Sequence, residues 1–104
     1  MDVYILYNMI YDYDCHETAI TIEAFSTLDD AMAYFDELKD STINDYLLSS
    51  DCETIEEFER LEYAYVERIT KSTGLPHFYI ELDEYGHNKL SIVKKNILSF
   101  VEEI

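Results

Sequence analysis

The densest gathering of ligand-type side chains is Asp12, Asp14, Cys15, His16 and Glu17, which offer oxygen, sulfur and nitrogen donors within six residues. A zinc centre requires three or four ligands on spacings such as C-x2-C or H-E-x-x-H, and neither occurs. A calcium loop of the EF-hand type requires the D-x-D-x-D-G pattern, and no glycine stands in this segment. The segment reads as a solvated hairpin loop, and no metal or cofactor is expected. Cys15, Cys52, His16, His77 and His87 supply thiols and imidazoles for nucleophilic chemistry. No G-x-S-x-G elbow or similar motif activates any of them. Among 23 Asp and Glu, some neighbouring pair is inevitable, so a glycosidase-like acid and base does not follow from the count. Gly74 and Gly86 stand alone, which removes both the dinucleotide fingerprint and the phosphate-binding loop. No catalytic residue is assigned, and the chain is read as non-enzymatic.

The chemistry that does stand out is charge. Seven Lys and Arg face 23 Asp and Glu in 104 residues, a formal net charge of −16. From Thr27 to Glu62, twelve carboxylates meet only Lys39 and Arg60. Such a surface repels phosphates and attracts basic grooves. Direct nucleic-acid binding, which needs basic stripes that release counterions, is therefore not expected. Arg68, Lys71, Lys89, Lys94 and Lys95 lean towards the C-terminal third, an asymmetry that offers a route to a homodimer by basic end against acidic face.

Carboxylates at successive exposed positions of a helix stand several Å apart, close to the ~7 Å between DNA phosphates. Two readings of the acidity follow. One is an anionic surface shaped for a cationic cleft; the other is a solvated face that only confers solubility. Ten tyrosines exceed the needs of a small core. Tyr34 and Tyr63 fall on or beside the acidic helical segments, where Tyr serves as an anchor in protein interfaces. The candidate partner-binding residues are Asp29, Asp30, Tyr34, Asp36, Glu37, Asp40, Glu56, Glu57, Glu59 and Tyr63.

The elements that must position these residues are legible from patterning. Hydrophobic residues form 48% of the chain, which sets it apart from a disordered acidic tail. The length suits one domain spanning residues 1–104. Val3 to Tyr11 is apolar on both alternating faces and predicts an inner strand. Thr18 to Phe25 alternates and predicts its hairpin partner. Thr27 and Asp30 predict a helix start, with a stripe of Leu28, Ala31, Met32, Phe35 and Leu38. Ser41 to Ser50 predicts a second, short helix capped by Thr42. Thr54 opens a third, long one with the stripe Ile55, Phe58, Leu61, Tyr65 and Ile69, closed by Gly74 and braced by the Glu56–Arg60 and Glu67–Lys71 pairs. Phe78, Ile80 and Leu82 predict a strand, and Lys89 to Ile104 a short strand to Val93 followed by a short helix. The order β-β-α-α-α-β-β-α predicts an α+β domain with a small antiparallel sheet packed against helices.

The start of the chain carries no basic, apolar leader, and no stretch reaches the about 18 apolar residues of a spanning helix. A cytoplasmic protein without membrane association is expected. Two widely spaced cysteines are expected to remain thiols there.

The strand Val3-Tyr4-Ile5-Leu6, the turn Asp12-Tyr13-Asp14, the Phe25-Ser26 step, the following helix with Ala31, Tyr34 and Phe35, and the stretch Ile80 to Glu84 together resemble a pattern in small phage and mobile-element proteins. In charge and size the chain also resembles phage DNA mimics and inhibitors of bacterial defence, anti-CRISPR proteins among them. That resemblance implies an inhibitor that binds a basic nucleic-acid-handling protein or nuclease effector in the host cytoplasm. The alternative is a structural or oligomeric accessory protein.

Overall fold

The computed structural model describes residues 1–70 and 74–96. Seven elements follow one another: β1 (Asp2–Asp12), β2 (Glu17–Phe25), α1 (Leu28–Ser50), α2 (Ile55–Glu59), β3 (Ala64–Thr70), β4 (Pro76–Leu82) and β5 (Gly86–Asn96). The strands form one antiparallel sheet in the order β2-β1-β5-β4-β3. The chain is an α+β fold, as its patterning predicts; among the described residues it has two helices and five strands, where the predicted order has three helices and four strands before a C-terminal helix that lies outside them.

β1 is an inner strand because both its faces are apolar. It pairs with β2 from Tyr4↔Phe25 to Asp12↔Glu17 and with β5 along its whole length. Period-two alternation then sorts the strands. Leu6, Phe78, Ile80, Leu82, Leu90 and Ile92 point to one side and are buried beneath Ala31, Phe35 and Tyr46 of α1 and Phe58 of α2. Both helices lie on that side, α1 against β1, β5, β2 and β4, and α2 against β3.

Four expectations are corrected. The long third helix is only five residues, and Tyr65 belongs to β3. The spacing Phe58, Leu61, Tyr65 fits a helical stripe, but Ala64 and Val66 also alternate against Tyr65 and Glu67. Pairing with β4 through the turn at Gly74 satisfies the backbone of a β-branched and aromatic run better than a helix does. The anticipated Glu56–Arg60 brace is absent among the described ion pairs; Arg68 meets Glu59 at 2.6 Å instead. Lys71 lies outside the described residues.

The short helix at Ser41 is not separate. α1 runs unbroken for 23 residues because neither Gly nor Pro interrupts it and Leu38, Thr42 and Tyr46 continue the inward stripe at every fourth position. Its N-cap is Thr27, which accepts from the Asp30 amide at 3.2 Å. At the other end β5 passes Val93 and reaches Asn96, where it pairs with Asp2. The helix expected after it falls on residues outside those described.

Candidate functional site

The outward side of α1 is set by helical periodicity. With Ala31, Phe35 and Tyr46 held against the sheet, Asp29, Asp36 and Asp40 fall in one outward row and Asp30 and Glu37 beside it; all five are exposed. Along that row the helix rises about 10 Å from Asp29 to Asp36 and about 6 Å to Asp40. α2 adds Glu56, Glu57 and Glu59, also exposed.

These ten candidates are not equivalent. Glu57 closes its own helix: its amide donates to Thr54 Oγ1 at 3.2 Å, and its carboxylate accepts from the Glu53 amide at 3.3 Å. Glu59 is neutralised by Arg68, and Asp36 lies 3.7 Å from Lys39. Tyr34 is half-buried with its ring 5.7 Å from Phe25, so it works as packing at the edge of the core. Tyr63 is 50% exposed but sits in the turn before β3, beside Asp83 and Glu84, away from the outward row of α1. Among these candidates, Asp29, Asp30, Glu37, Asp40 and Glu56 make no side-chain bond to any described residue. Asp83 and Glu84 join the acidic surface through the fold, and no sequence spacing linked them to Tyr63.

No protein-family model, curated protein or solved structure matches the chain. The reading of the site therefore rests on its geometry.

The opposite face of the sheet has a different character. It presents Val3, Ile5, Tyr7, Met9 and Tyr11 of β1, Thr18, Ile20, Ile22 and Ala24 of β2, Tyr65 and Glu67 of β3, and the odd-numbered residues of β4 and β5. Its charged residues are Glu67, Glu81, Lys89 and Lys95, which balance. The surplus of sixteen negative charges is carried by the rest of the chain. The basic residues expected to form one end do not gather: Lys89 and Lys95 point to this open face, Lys94 meets Asp2 at 3.3 Å, and Arg68 meets Glu59.

One corner of the open face holds a polar aromatic cluster. Tyr13 reaches Glu81 and His87, His87 stacks on Tyr11 at 5.2 Å, and Tyr79 lies 5.6 Å from the same imidazole. The hydrogen bond to Glu81, with burial adding to it, pushes the Tyr13 phenol well above its usual range; Tyr79 is also raised, chiefly by burial. These phenols hold their protons and act as donors, with Glu81 already occupied as acceptor. The signal in the sequence was the crowding of Tyr at odd positions around Tyr11 and Tyr79.

On the helix side, Asn8 and Asn88 are the buried polar side chains among the described residues. Asn88 donates to Asn8 Oδ1 at 3.4 Å and accepts from the Tyr46 hydroxyl at 3.5 Å. They border a cleft of about 250 Å³ between α1 and the sheet, with Asp12, Asp45 and Tyr85 on its rim. Burial pushes the Tyr46 phenol up as well.

The loop after β1 keeps Asp14, Cys15, His16 and Glu17 exposed, and Asp12 Oδ1 accepts from the Asp14 amide at 2.8 Å as in an Asx turn. Among the described residues no three His, Cys, Asp or Glu side chains converge on one point. Cys15 is exposed and Cys52 half-buried, both as thiols. Among the described residues no helix is long and apolar enough to cross a membrane.

Proposed function

We infer that the chain is a non-enzymatic inhibitor that binds a basic, nucleic-acid-handling protein through its acidic helical side. It would act as phage anti-defence or anti-CRISPR-like proteins do, by standing in for DNA in the partner's cytoplasm. The observation that carries this reading is the segregation of charge. The open sheet face is formally neutral, whereas α1 and α2 turn Asp29, Asp30, Glu37, Asp40 and Glu56 to solvent with no intramolecular cation on them. Such one-sidedness concentrates the field where a cationic cleft would meet it, and desolvation of the opposed charges would set both rate and specificity.

The test is a retention experiment. The immobilised protein is exposed to bacterial lysate at about 50 mM and about 500 mM NaCl, which shortens the screening length several-fold. Nucleic-acid-binding proteins held at low salt, released at high salt and displaced by duplex DNA are the expected result. The variant D29K/E37K/D40K/E56K, whose side chains make no internal bond, is expected to lose that retention with unchanged circular dichroism. Equal retention by the variant rejects the inference.

A further inference from the structure

The helices cover one face of a five-stranded sheet, and among the described residues the other is covered only at the corner where Tyr13 reaches Glu81 and His87. That open face is continuous across strands. One row runs Ile22, Tyr7, Ser91 and His77; the next runs Ile20, Met9, Lys89, Tyr79 and Glu67. Ile20 and Ile22 are 61% and 59% exposed, and Tyr65 at the far edge is 51% exposed. Five strands at about 4.8 Å spacing and seven residues at about 3.3 Å rise give roughly 550 Å² of sheet. Within it the exposed Ile20 and Ile22 lie beside Ile5, Tyr7 and Met9, an apolar half of the face, and patches of this kind often mark interaction sites.

We propose that this face is the dimerisation surface, covered in solution by the same face of a second copy. Two observations select a second copy over other occupants. The first is charge. Among the described residues the helix side and the turns carry the surplus carboxylates, so approaches through them bring like charges together, whereas the approach that joins the neutral faces does not. In a two-fold arrangement Lys89 and Lys95 of one copy are available to Glu67 and Glu81 of the other, because each contact in such an interface occurs twice. The second is area. Two faces of this size bury about 1,100 Å², which passes the roughly 1,000 Å² that a specific interface requires. The two sheets would stack about 10 Å apart, as in a β-sandwich, with Ile20, Ile22, Ile5 and Met9 interdigitating. Both acidic helical sides then face outward, so the dimer presents two copies of the surface assigned above to the basic partner.

This arrangement carries its own salt signature. Association of two chains of net charge −16 works against long-range repulsion, which salt screens. Dimerisation should tighten as salt rises, the reverse of binding to a basic protein. The experiment is sedimentation velocity on the full chain over a hundredfold range of concentration, at about 50 mM and about 500 mM NaCl. A monomer–dimer equilibrium at least several-fold tighter at high salt is expected. I20K/I22K, on an exposed edge strand and outside the core, should be monomeric with unchanged circular dichroism. T21K, which points to the helix side of the same strand, should dimerise as the parent does. A monomer at both salt concentrations, or a dimer undiminished by I20K/I22K, overturns the proposal. The two readings fail separately, because D29K/E37K/D40K/E56K removes retention of basic proteins and leaves the sheet-face dimer in place.

Discussion

Tyr13 donates its phenolic proton to Glu81 at 2.5 Å while its oxygen stands 3.0 Å from Nδ1 of His87. One proton serves one acceptor, so in the second contact Nδ1–H of His87 is the donor and the phenol oxygen accepts. The loop after β1 is thereby tied to β4 and β5, a link reinforced where the Tyr13 amide donates to the Tyr85 carbonyl at 3.2 Å.

Alkaline pH should break this link. Tyr13 is raised chiefly by its bond to Glu81, and Tyr46 and Tyr79 chiefly by burial. Unfolded tyrosines ionise near pH 10. Below that pH these phenols are protonated in both states and their stabilisation is fully present. As pH rises through the higher folded values the stabilisation is lost, because the unfolded chain releases its protons first. Phenolate absorbance of these residues should therefore appear together with the loss of far-ultraviolet dichroism. Complete ionisation with the dichroism intact would contradict the assignment. At neutral pH, Tyr13→Phe should cost about 1 kcal/mol, below the usual worth of a bond to a charged group because solvent reaches the site.

The buried carboxamides invite the opposite substitution. Asn8 is 9% exposed, yet its one hydrogen bond is 3.4 Å long and it borders the cleft beneath α1. A weak bond contributes little, while an apolar side chain there would add buried area beside Leu6 and Leu38. Asn8→Leu alone would leave the buried Asn88 amide without its acceptor, so the paired variant Asn8→Leu/Asn88→Leu is the one that should raise the urea midpoint, by the equivalent of about 1 kcal/mol. A lower midpoint would mean that the carboxamides are better satisfied than their geometry indicates.

α2 depends chiefly on one side chain. Five residues are far too few for a helix to persist alone, so Phe58, fully buried and edge-on to Tyr46 at 6.2 Å, holds it. Phe58→Ala should cost about 3–5 kcal/mol, a large part of the 5–15 kcal/mol available to such a domain. Thermal unfolding should fall sharply, with Phe58→Leu retaining much of the loss. Gly86→Ala tests the sheet in the same way: its Cβ would be driven into the Tyr11 carbonyl oxygen, so β1 and β5 must separate there.

What the sequence discloses and what it hides divide along physical lines. β1 and its hairpin are legible because a doubly apolar strand has one place to go, the interior of a sheet. The α1 start is legible because Thr27 and Asp30 make a local bond that needs no tertiary partner. The stretch Leu61 to Thr70 is not, since Tyr65 satisfies either period and pairing with β4 decides between them. The same holds for the site. Exposure of Asp29, Glu37 and Asp40 follows from one helix's periodicity. The involvement of Glu57 and Glu59 in a cap and an ion pair, and the packing of Tyr34 on Phe25, depend on neighbours brought by the fold. The neutrality of the open face emerges only when Glu67, Glu81, Lys89 and Lys95 come together from three strands.

Salt should stabilise the folded chain itself. The described ion pairs, Asp36–Lys39, Glu59–Arg68 and Asp2–Lys94, are all exposed and contribute about 0–1 kcal/mol each. Against them stand the carboxylates of α1, α2 and the turns. Two unit charges about 10 Å apart in water repel by about 0.4 kcal/mol, and so acidic a surface holds many such pairs. Unfolding spreads them apart, so repulsion acts mainly on the folded state. Screening removes attraction and repulsion alike, and the larger sum is the repulsive one. Raising NaCl from about 10 mM to about 300 mM should therefore increase the urea midpoint. The measurement belongs in the I20K/I22K background, where association through the sheet face adds nothing to apparent stability. A midpoint that falls with salt would mean that the three ion pairs outweigh the surplus charge.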